Sequence, residues 1–255
     1  MVVAPRDRAT TLTYAVLLLV TAAAWASMLW SPMGADEMAG TEMVMAPSVG
    51  AAVAFVAAWA VMMAAMMLPS ALPMIGLYAA TQRSAPGPAA KAAAIASFVL
   101  MYLVVWVLTG LPIYVASVAL MAVTSVTLAY AIAGVLVVAG FFQLSPLKQV
   151  CLRHCRSPLG FLLGHWRAGW RGAVAMGWAH AIYCLGCCWA LMVVLVVAGA
   201  MGLPWVLLIA CVVAGEKLLP RGEWIARMTG VALAVLGVIV ALRPGLAMAL
   251  RASSM

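Results

Sequence analysis

Charged residues are scarce in this chain of 255 residues. Only 8% of the residues are Asp, Glu, Lys or Arg, whereas 68% are hydrophobic and the mean hydropathy is +1.17. Soluble domains usually carry about 25% charged residues, because their surface faces water. The shortage of charge therefore excludes a water-soluble domain and indicates an all-α integral membrane protein whose main partner is the lipid bilayer.

Groups that perform acid–base catalysis are also few, since the chain has three histidines and six acidic residues. It contains no nucleophile elbow, P-loop or dinucleotide fingerprint. The net charge of +8 does not indicate a nucleic-acid partner, because the basic residues lie between apolar runs rather than on one polar domain. We therefore predict a protein that is not an enzyme and binds no nucleic acid.

Seven apolar runs approach the length of about 20 residues that a helix needs to cross a bilayer. They are residues 11–30, 49–68, 92–116, 124–143, 172–199, 203–219 and 224–242. The second run could continue past Pro69 to about residue 80, and six spans is the alternative count if one run is only re-entrant. We predict a single transmembrane domain over 1–255, folded as a polytopic helical bundle.

The distribution of Lys and Arg predicts the orientation. Basic residues precede the first run and fill the connections after the second, fourth and sixth, whereas the segments 31–48, 117–123 and 200–203 contain none. By the positive-inside rule, the N-terminus and the basic connections are cytoplasmic, as expected in a bacterial inner membrane. We interpret the first run as an uncleaved signal-anchor, because its apolar core is longer than that of most signal peptides.

The fifth run contains the segment MGWAHAIYCLGCCW, which holds three of the six cysteines. At about 100° per residue, Met176, His180, Cys184 and Cys187 fall on one helical stripe about 80° wide, with Cys188 at its border. Thiolate, thioether and imidazole donors favour Cu(I), and without the thioether they also suit zinc. The alternative is that these cysteines only pack as small hydrophobic residues, although an imidazole within a membrane needs a partner.

The second run offers further soft donors in the segment WAVMMAAMMLPSALP. Met62 and Met66 share one helix face, and Met63 and Met67 share another. Pro69 frees a backbone carbonyl group and predicts a kink beside these thioethers. With opposite directions of insertion, the methionines lie about 20–27 Å down and the cysteines about 12–24 Å up, so the two donor sets could meet.

The connection at 145–170 carries a second cluster of soft donors. Ser145-Pro146 and Ser157-Pro158 both have the pattern of a helix start, which predicts a short amphipathic cytoplasmic helix with Cys151, His154 and Cys155. We expect the neighbouring cations Lys148, Arg153 and Arg156 to lower the pKa of the two thiols and favour metal binding. The alternative is a solvated basic face with incidental cysteines.

Glu216 and Lys217 end the sixth run. A charged pair at the end of a span is usually interfacial, so we expect the Lys217 side chain to extend towards water. If Glu216 points inward instead, a loop arginine such as Arg171 is its expected partner. We expect Cys211, alone in this run, to pack.

The segments WAVMMAAMMLPSALP, FQLSPLKQVCLRHCRSPLGFL and HAIYCLGCCWALM, with the Glu216-Lys217 pair, resemble a bacterial family of predicted metal-binding integral membrane proteins. The resemblance covers about residues 55–240 and implies a copper chaperone that supplies copper enzymes such as tyrosinase. It implies the ligands already named: Met62, Met63, Met66, Met67, His180, Cys151, Cys155, Cys184, Cys187 and Cys188. One departure is Gly202, where the family pattern has a polar asparagine.

These patterns favour a membrane protein that binds a soft metal, with Cu(I) preferred over zinc, and delivers it to an extracytoplasmic copper protein after receiving it from a metallochaperone. One alternative is a thiol–disulfide electron carrier that uses Cys184 and Cys187. Another is a structural or assembly subunit in which the cysteines only pack. The sequence alone leaves all three open.

Overall fold

The computed structural model describes residues 8–30, 48–82, 87–197 and 202–252, and within these ranges it contains eleven helices and no strand. In chain order the helices are α1 (Arg8–Trp30), α2 (Val49–Thr81), α3 (Pro88–Leu108), α4 (Gly110–Met121), α5 (Ser125–Leu144), α6 (Pro146–Arg156), α7 (Pro158–His165), α8 (Gly169–Val197), α9 (Leu203–Leu218), α10 (Gly222–Leu242) and α11 (Gly245–Ala252). The all-α prediction is confirmed.

In the described part of the chain, six helical stretches are long and apolar enough to cross a membrane. They are Thr11–Trp30, Val49–Thr81, Pro88–Leu120, Ser125–Leu144, Gly169–Val197 and Gly222–Leu242. The stretch predicted as a span at 203–219 forms α9, which has 16 residues and reaches about 24 Å, less than the roughly 30 Å of a hydrocarbon core. The alternative count of six spans therefore fits the structure, and α2 runs on past Pro69 to Thr81.

The outer faces of the long helices are apolar. Leu19 in α1, Leu100 in α3 and Val235 in α10 each expose more than half of their surface. Exposed apolar surface on this scale suits contact with lipid. The structure is thus compatible with a multi-pass membrane protein.

Small residues allow α5 and α10 to pack with their backbones in close contact. A Cβ atom added at Gly140 would lie 2.7 Å from the backbone nitrogen of Ala234, and one added at Gly237 would lie 2.8 Å from that of Val137. Small residues commonly permit such close approach between membrane helices. The pair packs in a second, smaller hydrophobic core that also contains residues of α8.

A similar close contact brings α8 to α3 at the centre of the larger hydrophobic core. A Cβ atom at Gly177 would lie 2.5 Å from the carbonyl oxygen of Phe98. One turn further along α8, the His180 side chain therefore stacks on Phe98 and Tyr102 of α3, with ring centroids 6.0 and 5.4 Å apart. This contact sets the face of α8 that carries the cysteines against α3.

The connection at 145–170 folds as the short helices α6 and α7. The Ser145 hydroxyl accepts a hydrogen bond from the Lys148 backbone N–H at 3.2 Å, so the predicted cap is confirmed. Ser157 stands at the start of α7, although its side chain makes no capping hydrogen bond. Gly169, with φ of 75°, supplies the left-handed conformation at the start of α8 that glycine adopts most readily.

Candidate metal centre

Four thiols from two helices meet inside the bundle. Cys184, Cys187 and Cys188 come from α8, and Cys155 comes from α6. The Sγ atom of Cys187 lies 3.3 Å from that of Cys188 and 3.8 Å from that of Cys155. All four side chains are buried. The three cysteines that the sequence placed near one face of a helix thus gain a fourth from the short amphipathic helix.

The thiols are held by hydrogen bonds in the state that the structure describes. The Cys187 thiol donates to the Cys184 carbonyl oxygen at 3.1 Å, and the Cys184 thiol contacts the Tyr102 hydroxyl at 3.1 Å. Within the described ranges, no three His, Cys, Asp or Glu side chains are already arranged around a common metal position. Binding of a metal ion would therefore require these thiols to exchange hydrogen bonds for metal–sulfur bonds.

A buried lysine side chain contacts the sulfur cluster. The Lys217 ammonium group, on α9, lies 3.0 Å from Cys184 Sγ and 3.1 Å from Ser70 Oγ of α2. Lys217 is only 7% exposed. The expectation that its side chain extends towards water is therefore wrong, because the thiol and the hydroxyl offer it polar partners inside the bundle.

The partner of Glu216 also differs from the expectation. Glu216 forms an ion pair of 2.6 Å with Lys148, and these side chains are 1% and 0% exposed. The Gln143 amide donates to the other carboxylate oxygen at 3.0 Å, and its carbonyl oxygen accepts from Lys148. Arg171 instead lies over the Trp170 ring. The network joins α5, α6 and α9, which carry these three residues.

The four methionines of α2 are buried in the same core as the cysteines. Hydrogen bonds connect this part of α2 to Cys184 through the Met67 carbonyl oxygen, which accepts from Tyr102 at 3.4 Å and from Ser70 at 2.9 Å. The Ala65 carbonyl that Pro69 leaves without its helical donor accepts from Trp25 Nε1 at 3.1 Å. Ligation by the thioethers of Met62, Met63, Met66 and Met67 stays a prediction.

His180 lies in a box of aromatic rings one turn from Cys184. It packs on Tyr102 and Phe98, and the Phe161 ring meets it edge-on at 5.5 Å. Its Nδ1 atom is buried without a hydrogen-bond partner. A buried polar atom that lacks a partner is costly and points to a role beyond packing, which supports its inclusion among the candidate ligands.

Cys151 links the surface of α6 to α8. It is only half-buried, and its Sγ atom would lie 2.7 Å from a Cβ atom added at Gly186. Burial raises the pKa of Cys151, and the hydrogen bond with Cys184, followed by burial, raises the pKa of Cys155. The expected lowering by neighbouring cations is therefore wrong.

The reason is that two of those cations have other partners. Lys148 pairs with Glu216. Arg156 Nη2 donates to the carbonyl oxygens of Leu219 and Pro220 at 2.9 and 2.7 Å. Arg153 is exposed, where water screens its charge. Lys148 and Arg156 thus fasten the helix rather than activate its thiols.

His154 lies outside the thiol cluster, in contact with aromatic rings. It stacks in parallel on Tyr183 at 4.1 Å and meets His165 edge-on at 6.4 Å. The Nδ1 atom of His154 lies 2.9 Å from the Val150 carbonyl oxygen. The Nδ1 atom of His165 lies 3.1 Å from the Phe161 carbonyl oxygen. A carbonyl only accepts, so both Nδ1 atoms donate, and in the neutral rings Nε2 carries the lone pair.

Sequence reasoning missed Lys217, Tyr102 and Ser70 as parts of the site. One signal was available for Lys217, because an ionisable residue in a buried helix of a membrane protein is a functional candidate by default. Tyr102 and Ser70 carried no such signal, since an uncharged hydroxyl group in an apolar helix is not by itself a functional candidate. Only the packing of α2, α3 and α9 around α8 brings their hydroxyl groups to the cluster.

The fold is compatible with an α-helical, multi-pass membrane protein, and the thiols clustered inside it are donors that suit a soft metal. Residues 56–240 match the PpoB2 family, described as copper chaperones, and these residues make up more than half of the chain. The chain therefore belongs to this family, which confirms the resemblance drawn from its motifs. Neither a curated protein nor a solved structure matches the chain.

Proposed function

We propose that the protein is a membrane-embedded Cu(I) chaperone that receives copper at α6 and holds it among Cys155, Cys184, Cys187 and Cys188. The observation that carries the proposal is the 3.8 Å contact between the Sγ atoms of Cys155 and Cys187. It links a helix that is not a candidate span to the most extensively buried of the candidate spans. Copper is the cargo, and its transfer needs no catalysed chemical reaction.

The donor set fits Cu(I). Soft thiolate and thioether ligands select Cu(I) over hard cations, and four cysteine sulfur atoms lie in one buried cluster. Copper handling is supported by the family to which the chain belongs. Four thiols could also hold zinc, so zinc is the weaker candidate because of the methionine thioethers buried in the same core and the family's description as copper chaperones.

A path for copper follows from the exposure of the thiols. Cys151 is half-buried and Cys155, one turn further along α6, is buried and touches Cys187. A copper ion could therefore pass from a soluble donor to Cys151, then to Cys155 and to the α8 cysteines by successive thiolate exchange. Because metal binding removes thiol protons, loading releases protons. His154, beside Cys155 in sequence, would serve as a further metal ligand when copper arrives at α6.

The proposal includes an orientation and partners that the basic connections support. With the N-terminus and α6 on the cytoplasmic side of the inner membrane, a cytoplasmic metallochaperone would donate copper at α6. The acceptor would be an extracytoplasmic copper enzyme, such as a tyrosinase. Met62, Met63, Met66 and Met67, buried in the same core as the cysteines, would then supply thioether ligands beside them.

The test is copper retention by protein purified under reducing, anaerobic conditions and loaded with Cu(I). We expect at least one copper ion per chain in the wild type, by elemental analysis, and loss of this copper in a Cys184/Cys187/Cys188→Ser variant. Cys211→Ser is the matched control, because Cys211 is an exposed thiol on α9. Equal copper in the triple variant and the control would rule out the cluster and favour the thiol–disulfide carrier.

A further inference from the structure

Lys217 is the cation that faces the candidate copper site. Its Nζ atom lies 3.0 Å from Cys184 Sγ and 3.1 Å from Ser70 Oγ. The Ser70 hydroxyl donates its proton to the Met67 carbonyl oxygen at 2.9 Å, so its lone pairs remain to accept from the ammonium group. The geometry thus holds Nζ against the sulfur atom.

No carboxylate balances this charge among the residues that the structure describes. Those residues include two acidic side chains, Glu216 and Glu223. Glu216 is engaged by Lys148 and Gln143, and no ion pair of Lys217 with either carboxylate is present in the described ranges. A buried charge without a partner is strongly unfavourable. The anionic partner within reach of Lys217 is therefore sulfur.

The charge of a loaded site depends on the charge of the metal. When Cu(I) is held by two of the four cysteines as thiolates and the other two stay protonated, the complex carries one net negative charge, which the Lys217 ammonium group neutralises. The complex of a divalent ion with the same two thiolates is already neutral. The positive charge of Lys217 would then stay uncompensated inside the bundle. In a dry interior the neutral arrangement is favoured, because an unbalanced charge pays a large desolvation cost.

We propose that Lys217 is the counter-ion of the bound metal complex and gives the site its preference for a monovalent soft ion over a divalent one. This inference rests on the proposed copper-binding function. Lys217 does not ligate the metal in this scheme; it acts on the thiolate complex through its charge, from a position fixed by Ser70.

The test compares the affinities for Cu(I) and Cd(II), a divalent soft ion, in full-length protein in detergent. Cu(I) is measured by competition with a chromophoric chelator and Cd(II) by its sulfur-to-metal absorption. We expect Lys217→Met to lower the affinity for Cu(I) relative to Cd(II) by about 10- to 100-fold, the range seen for residues that support metal ligands. Lys217→Arg, which keeps the charge, should retain most of the preference.

Arg153→Met is the matched control, because it removes one positive charge from an exposed position on α6 and should leave the ratio unchanged. An equal loss of both metals in Lys217→Met would overturn the proposal and indicate a structural role. If Lys217→Met does not fold, Ser70→Ala replaces it: loss of one hydrogen bond should shift the ratio in the same direction by about threefold, and an unchanged ratio would overturn the proposal.

The outcomes separate this inference from the proposed function. If the wild-type protein binds neither ion, the copper-chaperone proposal itself fails. If it binds copper at the cysteines with an affinity ratio that Lys217→Met leaves unchanged, the chaperone proposal stands and the role of Lys217 is wrong.

Discussion

The buried side chains of Lys148 and Lys217 carry the same charged group but have different kinds of partner. Lys148 meets a carboxylate and an amide from two other helices, and this set of groups is fully paired. Lys217 meets a thiol and a hydroxyl. The first arrangement satisfies a charge permanently and fixes three helices. In our proposal, the second leaves a cation beside a thiol that exchanges its proton for a metal ion, which suits a site that is loaded and emptied.

The largest effect is expected at the fully paired lysine. Glu216→Ala leaves the Lys148 ammonium group buried without its carboxylate, which typically costs about 3–5 kcal/mol. We expect a large loss of thermal stability. It is measured by size-exclusion chromatography in detergent after the protein has been heated to a series of temperatures. The double variant Lys148→Met/Glu216→Leu should recover much of this loss, because it removes both charges. A Glu216→Ala variant as stable as the wild type would break the contrast between the two lysines.

A smaller effect is expected where α6 meets α8. In Gly186→Ala the new methyl group would lie 2.7 Å from Cys151 Sγ, so Cys151 must shift, at a cost of about 1–3 kcal/mol for overpacking. We expect slower copper uptake from a soluble donor, measured by stopped-flow, with the copper content at equilibrium retained. Gly134→Ala is the matched control, because a methyl group there meets nothing within 4 Å. An unchanged rate would argue against uptake through α6.

A smaller effect is expected for Tyr102→Phe, which changes a single group in contact with Cys184. It removes the hydroxyl group that lies 3.1 Å from Cys184 Sγ and 3.4 Å from the Met67 carbonyl oxygen, while the ring still stacks on His180. The loss of such a hydrogen bond costs about 1 kcal/mol. The copper affinity should therefore fall by roughly fivefold, with little change in the fold. Tyr130→Phe, at an exposed position, should have no effect on copper affinity.

A small change in stability is expected for Met62→Leu combined with Met66→Leu. Exchange of methionine for leucine conserves volume and usually costs under about 1.5 kcal/mol. We expect weaker copper retention with an unchanged thiol redox titration, because a thioether ligand is lost while Cys184 and Cys187 remain. Unchanged copper retention would remove Met62 and Met66 from the candidate ligands.

The sequence predicted much of the fold because apolar runs of sufficient length have one stable solution in a bilayer. The exception is α9, a helix of 16 residues whose last turn carries two charged residues that turn inward. Composition alone suggested an interfacial pair there. The difference arises because partners for Glu216 and Lys217 come from α5, α6, α2 and α8, which no local pattern could reveal.

By itself, the sequence determined that the chain forms apolar helices, that His180, Cys184 and Cys187 share a stripe of α8, and that Cys155 stands one turn from Cys151 on α6. Helical periodicity is a local property, so these relations need no partner. Only the tertiary structure decided that Cys155 reaches Cys187, and that Lys217 meets Cys184 and Ser70, which precede it by 33 and 147 residues. Such pairings depend on how each helix is rotated against its neighbours, and that rotation is set by the close packing of the whole bundle.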